Sequence, residues 1–431
     1  MSSYHPPKRD SMRNQIRTPA LVQNRKRIVK HQEPKAVPPP PSIDEDTVDL
    51  GAIVIDNGTG STKAGFAGED DPRCVFPTLV AHPTSTFGPN SKAQVGKQAE
   101  AKWSVLDVQQ PIDRGIIQNW DDMETIWHHT FYQLKASSQH HPVLLTEVPL
   151  NPKANRERMT QIMFETFKVP ALYINNTAIL ALYANGRTSG CVLESGEGVS
   201  HAVPVCEGYV IPHAILRLPL GGKDLTQLLQ NALAERGHAL QDHIEKNFSD
   251  EGLVLTSTAV QVQVRTMKET LGYVALDFGQ ETIKAVDKSA ALEKSFDLKD
   301  GTSIQIGNER FYFPEHLFQP NDLMGLEEEG VADMTFQAIM KCDELLQYDM
   351  FSNIVLSGGS TMFPGFRERM LKELTALAGS VEITINDTAG RANAPWVGGS
   401  ILASLEQFNH LWITKQEYDE TGSSIVHTKC Y

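Results

Sequence analysis

Short apolar runs alternate along most of the chain with longer segments whose apolar residues recur every three or four positions. The runs at 53–55, 64–66, 191–193, 201–205 and 354–356 have strand length, and several break into glycine, acidic or hydroxyl residues. Asp121, followed by Glu124, is expected to cap a helix that carries Ile126, Trp127 and Phe131. Asn155 is expected to cap a second, with Met159, Ile162, Met163 and Phe167 on one face. A third helical stretch spans 365–377, and Gly379 stops it. Strands alternating with helices predict an α/β fold with covered sheets, starting near Asp46.

One pattern occurs twice. Ile53, Val54 and Ile55 run into Asp56, Asn57, Gly58, Thr59 and Gly60; Cys191, Val192 and Leu193 run into Glu194, Ser195, Gly196, Glu197 and Gly198. Each turn leads into another apolar strand, so two related lobes facing each other are expected. Glycine turns leave backbone N–H groups free to converge on an anion. Thr59, Ser61, Ser195 and Ser200 add hydroxyl donors, and Lys63 a point charge suited to phosphate. Asp56 and Glu194 would repel phosphate unless a divalent cation, Mg2+ or Ca2+, lay between, held largely through water. A third glycine turn at Ser357, Gly358, Gly359 and Ser360 follows the run at 354–356, and together the three turns predict a nucleotide cleft.

Composition sharpens this in one respect. The 431 residues carry a net charge of −14, but residues 1–42 hold nine Lys/Arg against Asp10 and Glu33. A basic, proline-rich tail (residues 1–45) therefore precedes an acidic body, and its composition predicts disorder. An acidic body argues against nucleic-acid binding, which needs clustered cations. No apolar run is long enough to span a bilayer, so no membrane association is expected. The five cysteines are scattered, which predicts a reduced cytoplasmic protein without a disulfide framework.

The body resembles actin and the actin-related proteins. The stretches KAGFAG (63–68), NWDDMETIWHHTFY (119–132), GGSILASL (398–405) and KQEYDETGSSIVHTKCY (415–431) read almost as actin does, and the resemblance covers about residues 46–431. It implies an actin-like ATPase fold whose four subdomains form two lobes. The first comprises 46–184 plus 394–431, with a small subdomain at about 78–110; the second comprises 185–393, with a small subdomain at about 221–326. It also implies ATP or ADP with Mg2+ or Ca2+ between the hairpins. Asp56, Asn57, Gly58, Thr59, Gly60, Ser61 and Lys63 would face Ser195, Gly196, Glu197, Gly198 and Ser200. Arg265, Lys268 and Glu269 would lie at the adenosine, and Gly358, Gly359, Met362 and Phe363 on the nucleotide-facing loop. Without the resemblance, Lys268 and Glu269 would read as a helix-surface pair.

Departures from the family pattern concentrate at the reacting end. Where actin has a water-orienting glutamine this chain has Thr177, and the aspartate of the second hairpin is Glu194, while His201 is kept. Water positioning is a large part of phosphoryl transfer, so these changes imply slow or absent hydrolysis, a weak ATPase at most. Ala392 replaces the basic residue over adenine, and Arg114 the modified histidine near the phosphate-release path. The subunit-inserting loop at about 83–95 is shorter and lacks methionine, and the apolar plug at 321–330 carries Asp322, Glu327, Glu328 and Glu329. Self-polymerisation is therefore not expected to be efficient. The second lobe also carries an insertion at about 238–254.

Tyr183, Gly186, Thr188, Leu402, Leu405 and Leu411 match the groove in which actin takes up partner helices. Together these features imply a cytoskeletal protein that joins, caps or modifies filaments of ordinary actin, partnered by actin and actin-binding proteins. A conventional filament-forming ATPase is one alternative. A nuclear subunit of a chromatin-remodelling assembly is another, resting on Arg25, Lys26 and Arg27. A sugar kinase or chaperone ATPase on the same fold would need a substrate motif, and the chain offers none.

Overall fold

The computed structural model describes residues 51–82, 93–101, 107–237, 257–287, 292–298 and 303–430. The basic tail, residues 83–92 of the expected subunit-inserting loop and the 238–254 insertion lie outside the described residues. Two six-stranded sheets dominate. In the first, Ile53–Asn57 pairs antiparallel with Ser61–Phe66 and parallel with Val143–Glu147, which pairs parallel with Ala171–Asn176. In the second, Gly190–Ser195 pairs antiparallel with Ser200–Cys206 and parallel with Ile354–Ser357. The repeated pattern thus folds as two hairpins of the same construction. In each, the first strand has a parallel neighbour on its other side, the arrangement that buries a strand on both faces and explains the continuous apolar runs.

Helix Thr177–Ala184 packs on helix Ala394–Ala403 and joins the sheets. Leu180, Trp396 and Leu402 belong to the core of the first sheet, while Ala178, Ile179, Ala181 and Leu182 pack with Val192, Val203 and Val355 of the second. Close approach needs a glycine: a Cβ on Gly398 would stand 1.8 Å from the Leu180 carbonyl oxygen.

Helix boundaries correct two expectations. The helix expected after Asp121 spans Trp120–Leu134, and its cap is Asn119, whose side chain accepts from the Asp122 N–H. The next spans Lys153–Glu165 behind Pro152; Asn155 lies inside it and directs its amide at the Ile117 carbonyl. Proline tolerates the first-turn neighbourhood because its missing N–H would be unbonded there anyway. Helix Phe366–Ala378 is bracketed by Gly365 and Gly379, both at positive φ, as the sequence pattern expects.

Candidate functional site: a cleft between two hairpins

The two hairpin turns face each other across a cleft of about 770 Å³. Asp56, the last acidic group before the first turn, is buried and held twice. The Thr146 hydroxyl donates to its Oδ1 at 2.7 Å, and the Lys63 ammonium lies 3.1 Å from its Oδ2. Thr146 also accepts from the Asn57 N–H at 3.3 Å, so one hydroxyl fixes the turn entrance and its carboxylate together. Trp127 donates to Asn57 Oδ1, and this leaves the buried Asn57 Nδ2 without a hydrogen-bond partner. An orphaned buried donor is costly unless a ligand or water completes it.

Across the cleft, Glu194 Oε2 accepts from the Thr177 hydroxyl at 2.6 Å. Burial raises the Glu194 carboxyl to about 7; the Thr177 bond and Lys63 oppose this, and Asp56 reinforces it. His201 stands opposite Glu194 in the hairpin register. Burial, with Arg217 adding to it, lowers its imidazole to about 3, so it is neutral at physiological pH.

The third glycine turn closes the floor. Gly358 is at φ +88°, and a Cβ there would meet the Ser195 carbonyl oxygen at 2.3 Å, so only glycine fits. Gly359, by contrast, has nothing within 4 Å of its Cβ position and leaves open space on the cleft side. Ser360 donates to the Gly196 carbonyl at 2.8 Å, tying this turn to the second hairpin.

Most of the residues singled out in the sequence do line the cleft: the whole 56–61 turn with Lys63, Thr177, Glu194, His201, Gly196, Glu197, Gly198, Arg265, Lys268, Glu269, Gly358, Gly359, Met362 and Phe363. Ser195 and Ser200 do not. Their hydroxyls bond each other at 2.8 Å, Ser200 donates on to the Leu220 carbonyl, and both side chains are fully buried. They brace the hairpin from behind and are not hydroxyl donors to the cleft. Lys268 is equally unlike a helix-surface residue: it is 3% exposed, donates to the Gly222 carbonyl at 2.7 Å and sits 3.7 Å from Glu197. Arg265 pairs with Glu100, a second lining residue that no local motif announces.

Arg114, a departure from the family pattern, links the two hairpins. At φ +45° its guanidinium donates to the Gly198 carbonyl at 3.0 Å, to the Pro219 carbonyl at 2.6 Å and to both carboxylate oxygens of Asp224. Next to it, the Gly115 N–H donates to the Thr59 hydroxyl at 2.8 Å. Both hairpins are thereby fastened by protein groups alone.

Of the expected partner groove, Leu402 is buried in the core and offers nothing to a partner. Gly186 and Leu405 are exposed, while Tyr183, Thr188 and Leu411 are half-buried.

The residues present fit an anionic ligand with a divalent cation. The orphaned Asn57 amide, the Lys63 ammonium and the open side of Gly359 suit phosphate oxygens; Asp56 and Glu194 suit the cation. Among the described residues no cluster of three or more His, Cys, Asp or Glu could hold a metal unaided, so such a cation would share its ligands with water and the anion. A protein-family model described as Actin matches residues 47–431.

Proposed function

Because the chain belongs to the actin family, we propose that its cleft binds ATP or ADP with Mg2+ or Ca2+. We propose further that the protein acts in the cytoskeleton, joining, capping or modifying filaments of ordinary actin. The observation that carries this is the pair of glycine hairpins meeting across one cleft, each with a carboxylate at its base, Asp56 buried and Glu194 half-buried. In the proposed complex Lys63, Asn57 and the turn N–H groups of both hairpins bind phosphate oxygens. Asp56 and Glu194 hold the cation, and Arg265, Lys268, Glu269, Met362 and Phe363 border the adenosine. The cation supplies charge neutralisation between carboxylates and phosphates.

Hydrolysis in this reading is slow. The Thr177 hydroxyl donates to Glu194, and neutral His201 is buried in the hairpin. Neither arrangement supplies a strong base directed at water. Closure of two lobes, 46–184 with 394–431 against 185–393, is the proposed response to nucleotide. Glu327, Glu328 and Glu329 are exposed around the expected plug and disfavour a buried subunit interface, which supports an accessory role over self-assembly. A cytoplasmic location follows from that role.

Sedimentation of the purified chain in ATP and Mg2+, alone and with ordinary actin, tests the proposal. The chain is expected in the pellet only with actin. Efficient pelleting alone, at actin's own rate of phosphate release, would favour the conventional filament reading.

A further inference from the structure

Two carboxylates at the bottom of the cleft present four oxygens, and the structure accounts for three of them. Asp56 Oδ1 accepts from Thr146, Asp56 Oδ2 pairs with Lys63, and Glu194 Oε2 accepts from Thr177. Of these four oxygens, Glu194 Oε1 is the one that has no hydrogen bond or ion pair to another described residue. A carboxylate on a two-carbon stem has freedom about its last torsion, which is broad and two-fold. A single donor at 2.6 Å on one oxygen removes that freedom and fixes where the other points.

The donor is itself held firmly. Thr177 is the first residue of helix Thr177–Ala184, and Asn176 caps that helix by accepting from the Ala178 N–H at 2.9 Å. Thr177 is 8% exposed, and the helix it begins lies between the two sheets. Glu194, beside the turn of the second hairpin, is thus oriented by a residue that follows directly from a strand of the first sheet.

We propose that Thr177 is a positioning residue for a divalent cation: its hydroxyl turns Glu194 so that Oε1 faces the cation and the adjoining Asp56. This rests on the nucleotide–cation reading of the cleft and deepens it, giving the site a built-in choice between cations. Asp56 retains unused lone pairs beside its two partners, so both carboxylates can share one ion. A fixed Oε1 suits the short, strictly octahedral bonds of Mg2+, whereas a mobile carboxylate suits the longer and more variable ones of Ca2+. Partners that orient a metal-binding carboxylate typically change metal affinity by about ten- to a hundredfold when removed.

The test uses the full chain loaded with ADP, with Mn2+ titrated in and read by electron paramagnetic resonance, and with Mg2+ and Ca2+ as competitors. Thr177→Val, which replaces the hydroxyl by a methyl group, is expected to weaken Mn2+ and Mg2+ about tenfold and Ca2+ less. Thr177→Ser is expected to restore both the affinity and the preference. A Thr177→Val chain with wild-type cation affinities would overturn the assignment. So would a Thr177→Ser chain as weak as Thr177→Val, since bulk and not the hydroxyl would then matter. If Thr177→Val fails to fold, Glu194→Gln reads the same contact from its other side: loss of Mg2+ affinity is expected, and wild-type affinity refutes the proposal. A wild-type chain that takes up no adenine nucleotide would defeat the nucleotide reading separately. The same order of variants is then expected for Mn2+ titrated into the nucleotide-free chain, and its absence would overturn the role of Thr177.

Discussion

Glu194 and His201 face each other in one hairpin and are displaced by burial in opposite senses, which makes their pH dependence diagnostic. The Glu194 carboxyl is raised from 4.5 to about 7. In the ligand-free chain its contribution is therefore complete below pH 4.5 and is lost as pH rises through about 7, a swing of about 3 kcal/mol. The His201 imidazole is lowered from 6.5 to about 3. Its contribution is complete above pH 6.5 and is lost as pH falls through about 3, a swing of about 5 kcal/mol. Between pH 4.5 and 6.5 the two slopes cancel. Measured by urea denaturation across that window, the stability of Glu194→Gln relative to wild type is expected to rise with pH and that of His201→Gln to fall. Parallel curves for all three would mean that neither group titrates as its burial requires.

At the scale of single elements, caps and close contacts carry energies that can be read directly. Asn119→Ala removes the side-chain cap of helix Trp120–Leu134 and is expected to cost about 1 kcal/mol in denaturant unfolding. Gly398→Ala forces a methyl into the Leu180 carbonyl and is expected to cost about 3 kcal/mol or more. A Gly398→Ala protein as stable as wild type would show that the two central helices can slide apart. The hairpins themselves were legible in the sequence because their signal is local: an apolar run, an acidic residue and glycines in consecutive positions. The sequence does not settle the cap, because Asp121 and Asn119 are both competent cap residues and only the chain path chooses between them. Ser195 and Ser200 looked like donors to a ligand because small hydroxyl residues in a turn resemble a phosphate cradle. Their alternation in the strand pairing and the nearby Leu220 carbonyl instead turned them inward.

Over the whole molecule, the links that matter most join residues far apart in sequence, and no local pattern reveals them. Thr177 meets Glu194, Arg265 meets Glu100, and Arg114 meets Asp224. The resemblance located several of these positions, but their partners emerge only from the fold. The Arg114–Asp224 pair is bidentate and partly exposed, so its coupling in a double-mutant cycle with Arg114→Ala and Asp224→Ala is expected to be about 1 kcal/mol. Because Arg114 also reaches the Gly198 carbonyl, Arg114→Ala is further expected to speed release of a fluorescent ATP analogue. An unchanged release rate would separate this clasp from the cleft.

The central claim is that the two hairpins together hold a nucleotide and its cation, and calorimetric titration of the full chain with ATP in Mg2+ tests it most directly. Saturable one-to-one binding, weakened when the cation is chelated, is the predicted result. No heat and no rise in melting temperature at millimolar ATP would contradict it.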